Sequence, residues 1–278
     1  MNNFEFTALI GLGSVAAGFL GALTGLGGGV VIVPMLVLLF GVDIRYAAGA
    51  SLVSVIATSS GAAAAYVREG YSNVRIGMFL EVATTTGALA GAFLAARLPS
   101  PLISIVFGVV LLYSAYLSFR ARHSQTEEGG PDPLAVLLNM DGSYPTPSGP
   151  EPYHVRAVPL GFSFMVLAGA ISGILGIGSG AFKVLALDRA MHIPFKVATT
   201  TSNFMIGVTA AASAGVYLHR GYIDPGLAMP VTLGVLLGSL LGVRSLVRSN
   251  ALFLRIVFSA VIVFLALEMI YNGITGRL

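Results

Sequence analysis

The sequence predicts an all-α polytopic membrane protein made of two inverted-topology repeats of about five segments each, with glycine-broken helices near the bilayer midplane. Three observations lead there. Of 278 residues, 56% are hydrophobic and only 10% are charged, where a soluble domain carries about 25% charged residues; the mean hydropathy is +0.88. Two apolar runs are interrupted by dense glycine clusters, Gly25-Leu26-Gly27-Gly28-Gly29 and Gly176-Ile177-Gly178-Ser179-Gly180. The chain also matches itself without a gap at an offset of 151 positions.

The first apolar run, 6–40, is too long for one crossing, which takes about 20 residues. Glycine costs a helix about 1 kcal/mol per site relative to alanine, so the run is expected to split into segment 6–23 and a short segment 30–40 containing Pro34. A break in lipid strands N–H and C=O groups at a cost of several kcal/mol each. It is tolerated where it is buried in protein or lines a polar cavity, so it points to a binding site. Segments follow at 47–67, 74–96 and 102–119, punctuated by Gly41, Gly70, Pro99 and Pro101. The start of the chain carries Glu5 and no Lys or Arg before the first run, unlike a cleaved signal peptide, so that run is read as a retained span.

Residues 120–156 change character, with Glu127, Glu128, Asp132, Asp141 and several prolines around a short apolar patch at 134–138. The apolar pattern then resumes at 157–175, 181–187, 197–218, 227–243 and 252–270. The organisation expected is a first membrane repeat (1–119), a polar cytoplasmic linker or cap (120–156) and a second membrane repeat (157–278), together one integral membrane domain.

The repeat is read from many matched positions. Gly25, Gly27 and Gly29 fall on Gly176, Gly178 and Gly180; Ser51 and Thr58 on Ser202 and Thr209; Tyr66 and Gly70 on Tyr217 and Gly221; Gly87 and Gly91 on Gly238 and Gly242. A gapless series at one offset signals duplication. With five crossings per half, Arg68, Arg75, Arg120, Arg122, Arg156, Arg189, Lys196, Arg244 and Arg248 share one side, against Arg45, Arg97, Arg220 and Arg277. The positive-inside rule favours that lopsided count. It places both termini outside and the central connection in the cytoplasm, and it makes the repeats inverted.

The stretch Gly25-Leu26-Gly27-Gly28-Gly29-Val30-Val31-Ile32-Val33-Pro34-Met35-Leu36 resembles the signature of the sulfite exporter TauE/SafE family. The second copy, 176–187, looks like that family's second signature, and Ala198-Thr199-Thr200-Thr201-Ser202-Asn203 fits its later Thr-Ser element. The resemblance covers nearly the whole chain apart from the central connection. It implies a secondary membrane transporter, multi-pass in the cell membrane of a prokaryote, that exports a small sulfur-containing anion of the sulfite or organosulfonate class. The second copy departs from the first with Ser179 at the place of Gly28, Lys183 at that of Ile32 and Leu185 at that of Pro34. These departures bear on which anion is carried.

Helix N-termini present free N–H groups and partial positive charge. Val30 and Ala181 begin half-helices directly after the breaks. The backbone amides of Gly27, Gly28, Gly29, Gly178, Ser179 and Gly180, with the hydroxyls of Thr24 and Ser179, therefore form the expected anion cradle, and Ser202 and Asn203 complete the candidate substrate-binding set. Close helix packing is the other reading of the glycines, since Gly21, Gly25 and Gly29, like Gly234, Gly238 and Gly242, recur every four residues. Lys183 sits in an apolar segment, where a lysine costs at least about 2.5 kcal/mol at mid-membrane. It either attracts an oxygen of the anion, pairs with a buried carboxylate or snorkels to the interface. Glu81 either takes up a proton during transport, neutralises Lys183 or sits partly solvated at the interface. Asn203 stands where the first half has Leu52, as a ligand contact or an interhelical hydrogen bond. Most intramembrane Ser and Thr bond their own helix.

Several classes are excluded or disfavoured. Cysteine is absent, which removes disulfides, thiolate metal sites and cysteine nucleophiles. The four histidines fall in connections without metal spacing. No catalytic grouping or nucleotide motif is present, so neither an enzyme nor a cofactor, metal or direct ATP coupling is expected. The net charge of +3 is spread over the connections and does not point to nucleic acid. An anion-selective channel using the same site as a filter is the alternative; a membrane-embedded enzyme subunit ranks below it. The expected partners are the sulfur anion and the bilayer, with a homo-oligomer left open.

Overall fold

The computed structural model describes residues 3–24, 28–68, 70–119, 132–146, 149–178, 180–246 and 251–276, with the backbone alone at 3–4, 22–24, 61–68, 117–119, 181, 242–246 and 251–259. The first half is α1 (Asn3–Thr24), α2 (Gly29–Phe40), α3 (Ile44–Arg68), α4 (Val74–Ala95) and α5 (Ser100–Phe119). The second is α7 (Val158–Leu175), α8 (Gly180–Leu185) running into a π-helical turn (Ala186–Ala190), α9 (Phe195–His219), α10 (Pro225–Leu246) and α11 (Ala251–Thr275). Between them lie α6 (Pro133–Leu137) and the strands β1 (Gly142–Thr146) and β2 (Gly149–Tyr153).

Local chemistry sets the helix ends. Asn73 Oδ1 accepts the Ile76 N–H at 3.1 Å and so caps α4. Asp132 caps α6 by accepting the Leu134 N–H at 2.8 Å, with Pro133 in the first turn. Gly41 and Gly176 close α2 and α7 in the left-handed conformation, at φ +64 and +70.

The connection holds the one departure from an all-α chain among the described residues. β1 and β2 pair antiparallel, Gly142 opposite Tyr153 and Thr146 opposite Gly149. Prolines 145, 150 and 152 make this stretch read as coil. A two-stranded ribbon tolerates them because each strand keeps one unpaired edge. The hairpin is docked: Asn73 Nδ2 donates to the Tyr153 hydroxyl at 2.7 Å and to the Met140 carbonyl at 2.9 Å, and Arg75 donates to the Asn139 carbonyl at 3.2 Å. Met140, Tyr153 and Val155 are buried against Ile76, Leu187 and Met191. Burial pushes the Tyr153 phenol above its ordinary pKa, so it stays neutral in that contact. A cavity of about 300 Å³ lies between this hairpin and residues 70–75.

Backbone contacts at glycine hold the membrane helices together. A methyl group on Gly87 or Gly91 would strike the α7 backbone at Val166 and Ala170, and one on Gly169 or Gly173 would strike α4 at Thr84 and Ala88. Rising residue numbers on α4 thus meet rising numbers on α7, so these helices run parallel. The same contacts recur between α1 and α10: Gly238 lies on Val15 and Phe19, and Gly18 on Val235. Each of these positions differs by 151 from its counterpart in the α4–α7 pair. The fourth helix of each half is therefore packed against the first helix of the other half. By contrast α3 and α9 run antiparallel, with Tyr46 against Tyr222 and Ser59 against Gly207. So do α5 and α11, with Gly108 on Ala266 and Gly273 on Pro101.

The outer surface is apolar. Leu12, Phe164, Leu237 and Phe264 stand outward, Leu12 at 68% exposure and Leu237 at 58%. Soluble proteins rarely present such broad apolar cover. Among the described residues, α4 and α7 are each long and apolar enough to cross a membrane by length and composition, and α2 with stretches of α1, α5, α10 and α11 are shorter apolar helices.

Gly87→Ala and Gly238→Ala are expected to lower the melting temperature of detergent-purified protein by several degrees each, since overpacking a tight contact costs about 1–3 kcal/mol. Gly215→Ala, where a Cβ meets nothing within 4 Å, is expected to leave it unchanged or raise it.

Candidate functional site

The start of α2 and the α7–α8 junction lie next to each other in the fold. α1 ends at Thr24 and α2 begins at Gly29; α7 ends at Leu175 and α8 begins at Gly180. A Cβ on Gly29 would fall 2.6 Å from Ser51 Oγ and 3.4 Å from the Ile177 Cα. Ser51 of α3 thus leaves room at the start of α2 for a residue without a side chain. Gly178, at φ +73, sits between Val55 of α3 and Ile206 of α9. Carbonyls freed at the end of α7 are answered by side chains. Ser51 Oγ donates to the Gly176 carbonyl at 2.8 Å, and the Tyr217 hydroxyl lies 3.1 Å from the carbonyls of both Gly173 and Ile174. Ser202 Oγ donates to the Gly180 carbonyl at 3.3 Å.

One turn beyond Gly180, Lys183 is fully buried. Its Nζ donates to Thr209 Oγ1 at 2.5 Å, and the Thr209 hydroxyl meets Glu81 Oε1 at 2.6 Å. Thr85 Oγ1 also donates to Glu81 Oε1, at 3.2 Å, and Thr84 Oγ1 lies 3.4 Å from Thr209 Oγ1. Glu81 is 7% exposed, and its Oε2 is buried with no hydrogen-bond partner among the described residues. An ammonium has three donors, and among the described residues only Thr209 receives one from Lys183. Three helices, α4, α8 and α9, thus bring an acid, a base and a bridging hydroxyl into an apolar interior with hydrogen-bonding capacity to spare. Chemically, this arrangement can hold a small anion and a proton.

The equivalent place in the other half carries no charge: Ile32 corresponds to Lys183, Thr232 to Glu81 and Thr58 to Thr209. Ile32 is fully buried, and Thr58 bonds back to the Ser54 carbonyl at 3.0 Å.

The candidate residues are distributed as follows. Gly28 precedes α2 and accepts the N–H groups of Val31 and Ile32 at 3.1 Å. Gly29, Gly178, Gly180 and Ser202 gather around the second interruption, while Lys183 turns from there toward Glu81. Asn203 is half-buried and has no side-chain hydrogen bond among the described residues. Gly27, Ser179 and the Thr24 side chain lie outside the described residues. Thr209 is marked in the sequence only as the counterpart of Thr58, although it shares a helix face with Ser202 and Met205 at helical spacing. The Ser51 and Tyr217 contacts to the α7 end join positions far apart in sequence and leave no local mark. Among the described residues no group of His, Asp and Glu can hold a metal.

An apolar-coated helical bundle with buried charged groups fits an integral membrane protein. The family model for the sulfite exporter TauE/SafE matches residues 10–269, so the chain belongs to that family. It is 26% identical to the probable membrane transporter protein YunE of Bacillus subtilis, over 97% of this chain and 99% of that protein. It is 27% identical to the probable membrane transporter protein YdhB of the same organism, over 83% and 84%. A more distant organism, Methanocaldococcus jannaschii, has the probable membrane transporter protein MJ0441, 24% identical over 96% and 97%. No solved structure matches significantly.

Thr209→Val removes the hydroxyl between Lys183 and Glu81 while keeping the side-chain volume. It is expected to destabilise the purified protein by about 1–3 kcal/mol, read as a lower melting temperature, with Thr209→Ser restoring most of it.

Proposed function

We propose that this protein is a secondary transporter that exports a small sulfur-containing anion, of the sulfite or organosulfonate class, by alternating access. The observation that carries the reading is Lys183, a cation with unused donors, fully buried one turn past a helix interruption in a TauE/SafE chain. The substrate class follows the family's description and the sign of that charge. Gly28, Gly29, Gly178, Gly180, Lys183, Ser202 and Asn203, with Thr24, Gly27 and Ser179, form the substrate site in this reading, and Glu81 is the counter-charge of Lys183.

The two halves act as inverted repeats about an axis in the membrane plane. Two facts support this. Equivalent helices α3 and α9 are antiparallel neighbours, as are α5 and α11. A twofold that relates antiparallel neighbours lies across the helices, not along them. The α1–α10 contacts also repeat the α4–α7 contacts at the same offset. Interruptions that adjoin across such an axis suit a site reached alternately from either side. The protein is then a multi-pass protein of a prokaryotic cell membrane, with the docked hairpin of 142–153 on its cytoplasmic face. A reporter fused after Leu278 is expected to read as external.

Proteoliposomes loaded with radiolabelled sulfite, and separately with an organosulfonate such as isethionate, test the transport reading. Wild type is expected to release at least one of these anions faster than protein-free vesicles. Lys183→Ala is expected to lower that flux at least tenfold. Normal flux in Lys183→Ala removes this residue from the mechanism. A thermal-shift screen across sulfite, sulfate, thiosulfate, taurine and isethionate ranks the ligands independently, because one that binds only the native state raises its melting temperature. A response to cations or sugars and none to the sulfur anions overturns the substrate class.

A further inference from the structure

We infer that the transported anion and the Glu81 carboxylate are alternative counter-ions of Lys183, so that each anion bound is accompanied by one proton taken up on Glu81. This rests on the transport reading above and adds its coupling.

Lys183 and Glu81 are each other's only charged neighbour among the described residues. The elements packed around Glu81 supply no substitute. α4 otherwise carries Arg75, in its first turn and bonded to the Asn139 carbonyl. α7 has no ionisable side chain, and α8 has only Lys183. On the π-helical turn Asp188 and Arg189 lie 3.9 Å apart. On α9, Lys196 sits over the Tyr71 ring at 4.0 Å, Tyr217 is bonded to the α7 carbonyls, and His219 is exposed in the last turn.

Taken as ammonium against carboxylate through the Thr209 hydroxyl, the pair is neutral before the anion arrives. An anion that takes the two ammonium donors left over after Thr209 becomes the nearer partner of Lys183. The carboxylate is then a buried charge without compensation, a state that costs several kcal/mol. A proton from water on the open side removes it. Oε2 is where that proton bonds, since Oε1 is already occupied by Thr209 and Thr85 while Oε2 has no partner among the described residues. No bond other than this O–H forms, and nothing is oxidised or reduced. One proton is the full count, because the corresponding site of the other half holds Ile32 and Thr232 in place of the pair.

A monoanion and a proton crossing together carry no net charge. Flux then answers to the anion and proton gradients and not to the membrane potential. The test uses full-length protein in proteoliposomes with an internal pH dye, sulfite or isethionate as the probe, and the potential clamped by a potassium ionophore. The expected result is one proton moved per anion beyond any that the anion itself carries, and an isethionate flux that is unchanged when the clamped potential is varied. In Glu81→Gln, whatever anion flux remains is expected to have lost its accompanying proton. Measurable wild-type flux of either probe without the extra proton overturns the inference and leaves the transport reading standing. So does a Glu81→Gln protein that still moves the proton with the anion. If neither anion moves through wild type, the transport reading itself fails and the inference falls with it. The wild-type ratio decides the matter even where Glu81→Gln is poorly produced.

Discussion

A cation enclosed by apolar side chains must have its charge answered from within the protein. Around Lys183 that requirement organises the second half. α8 presents the ammonium, α9 the Thr209 hydroxyl and α4 the Glu81 carboxylate. The α4 helix belongs to the first half of the chain, so the charge balance of the site closes only when both halves are assembled. Truncating one partner of such a buried pair is far more harmful than the pair is stabilising. The site therefore acts as a check on correct assembly as well as a place for chemistry.

Assembly itself relies on small residues. In lipid there is little hydrophobic force between helices, and close backbone approach with dispersion takes its place. Gly87, Gly91, Gly169 and Gly173 let α4 and α7 touch backbone to backbone, and Gly18, Gly234 and Gly238 do so for α1 and α10. Glycine thus serves two separate ends here. In these helices it permits contact; at Gly29, Gly176 and Gly178 it permits turns and crossings beside the polar site.

Much of the fold was legible because it leaves periodic or repeated marks. The helix ends fall within a few residues of the positions read from apolar runs and glycine or proline punctuation, as at 74–96 against Val74–Ala95 and 102–119 against Ser100–Phe119. Lys183 and Glu81 stood out because a charge in an apolar run is costly unless it is paired or reaches water. Thr209 did not, because a hydroxyl in a membrane helix normally serves its own backbone, and the Met205 carbonyl lies within its reach at 2.9 Å. The docked hairpin was hidden for a different reason. Its strands are short and proline-rich, and what secures them is Asn73, more than sixty residues away, together with the burial of Met140 and Tyr153. Such long-range pairing has no signature in the local pattern. The glycines of 234–238 were ambiguous between site and packing, and the α1 contacts explain them as packing.

The crossed placement of the fourth helices has an implication for origin and for motion. A half-length ancestor would have left its first helix uncovered and its fourth with nothing to lie on. Each half covers the other's first helix with its own fourth, so neither half's packing is complete alone. The same clasp restricts how the molecule can move today. The two sequence halves cannot part as separate bodies without breaking the backbone contacts of α1 with α10 and of α4 with α7.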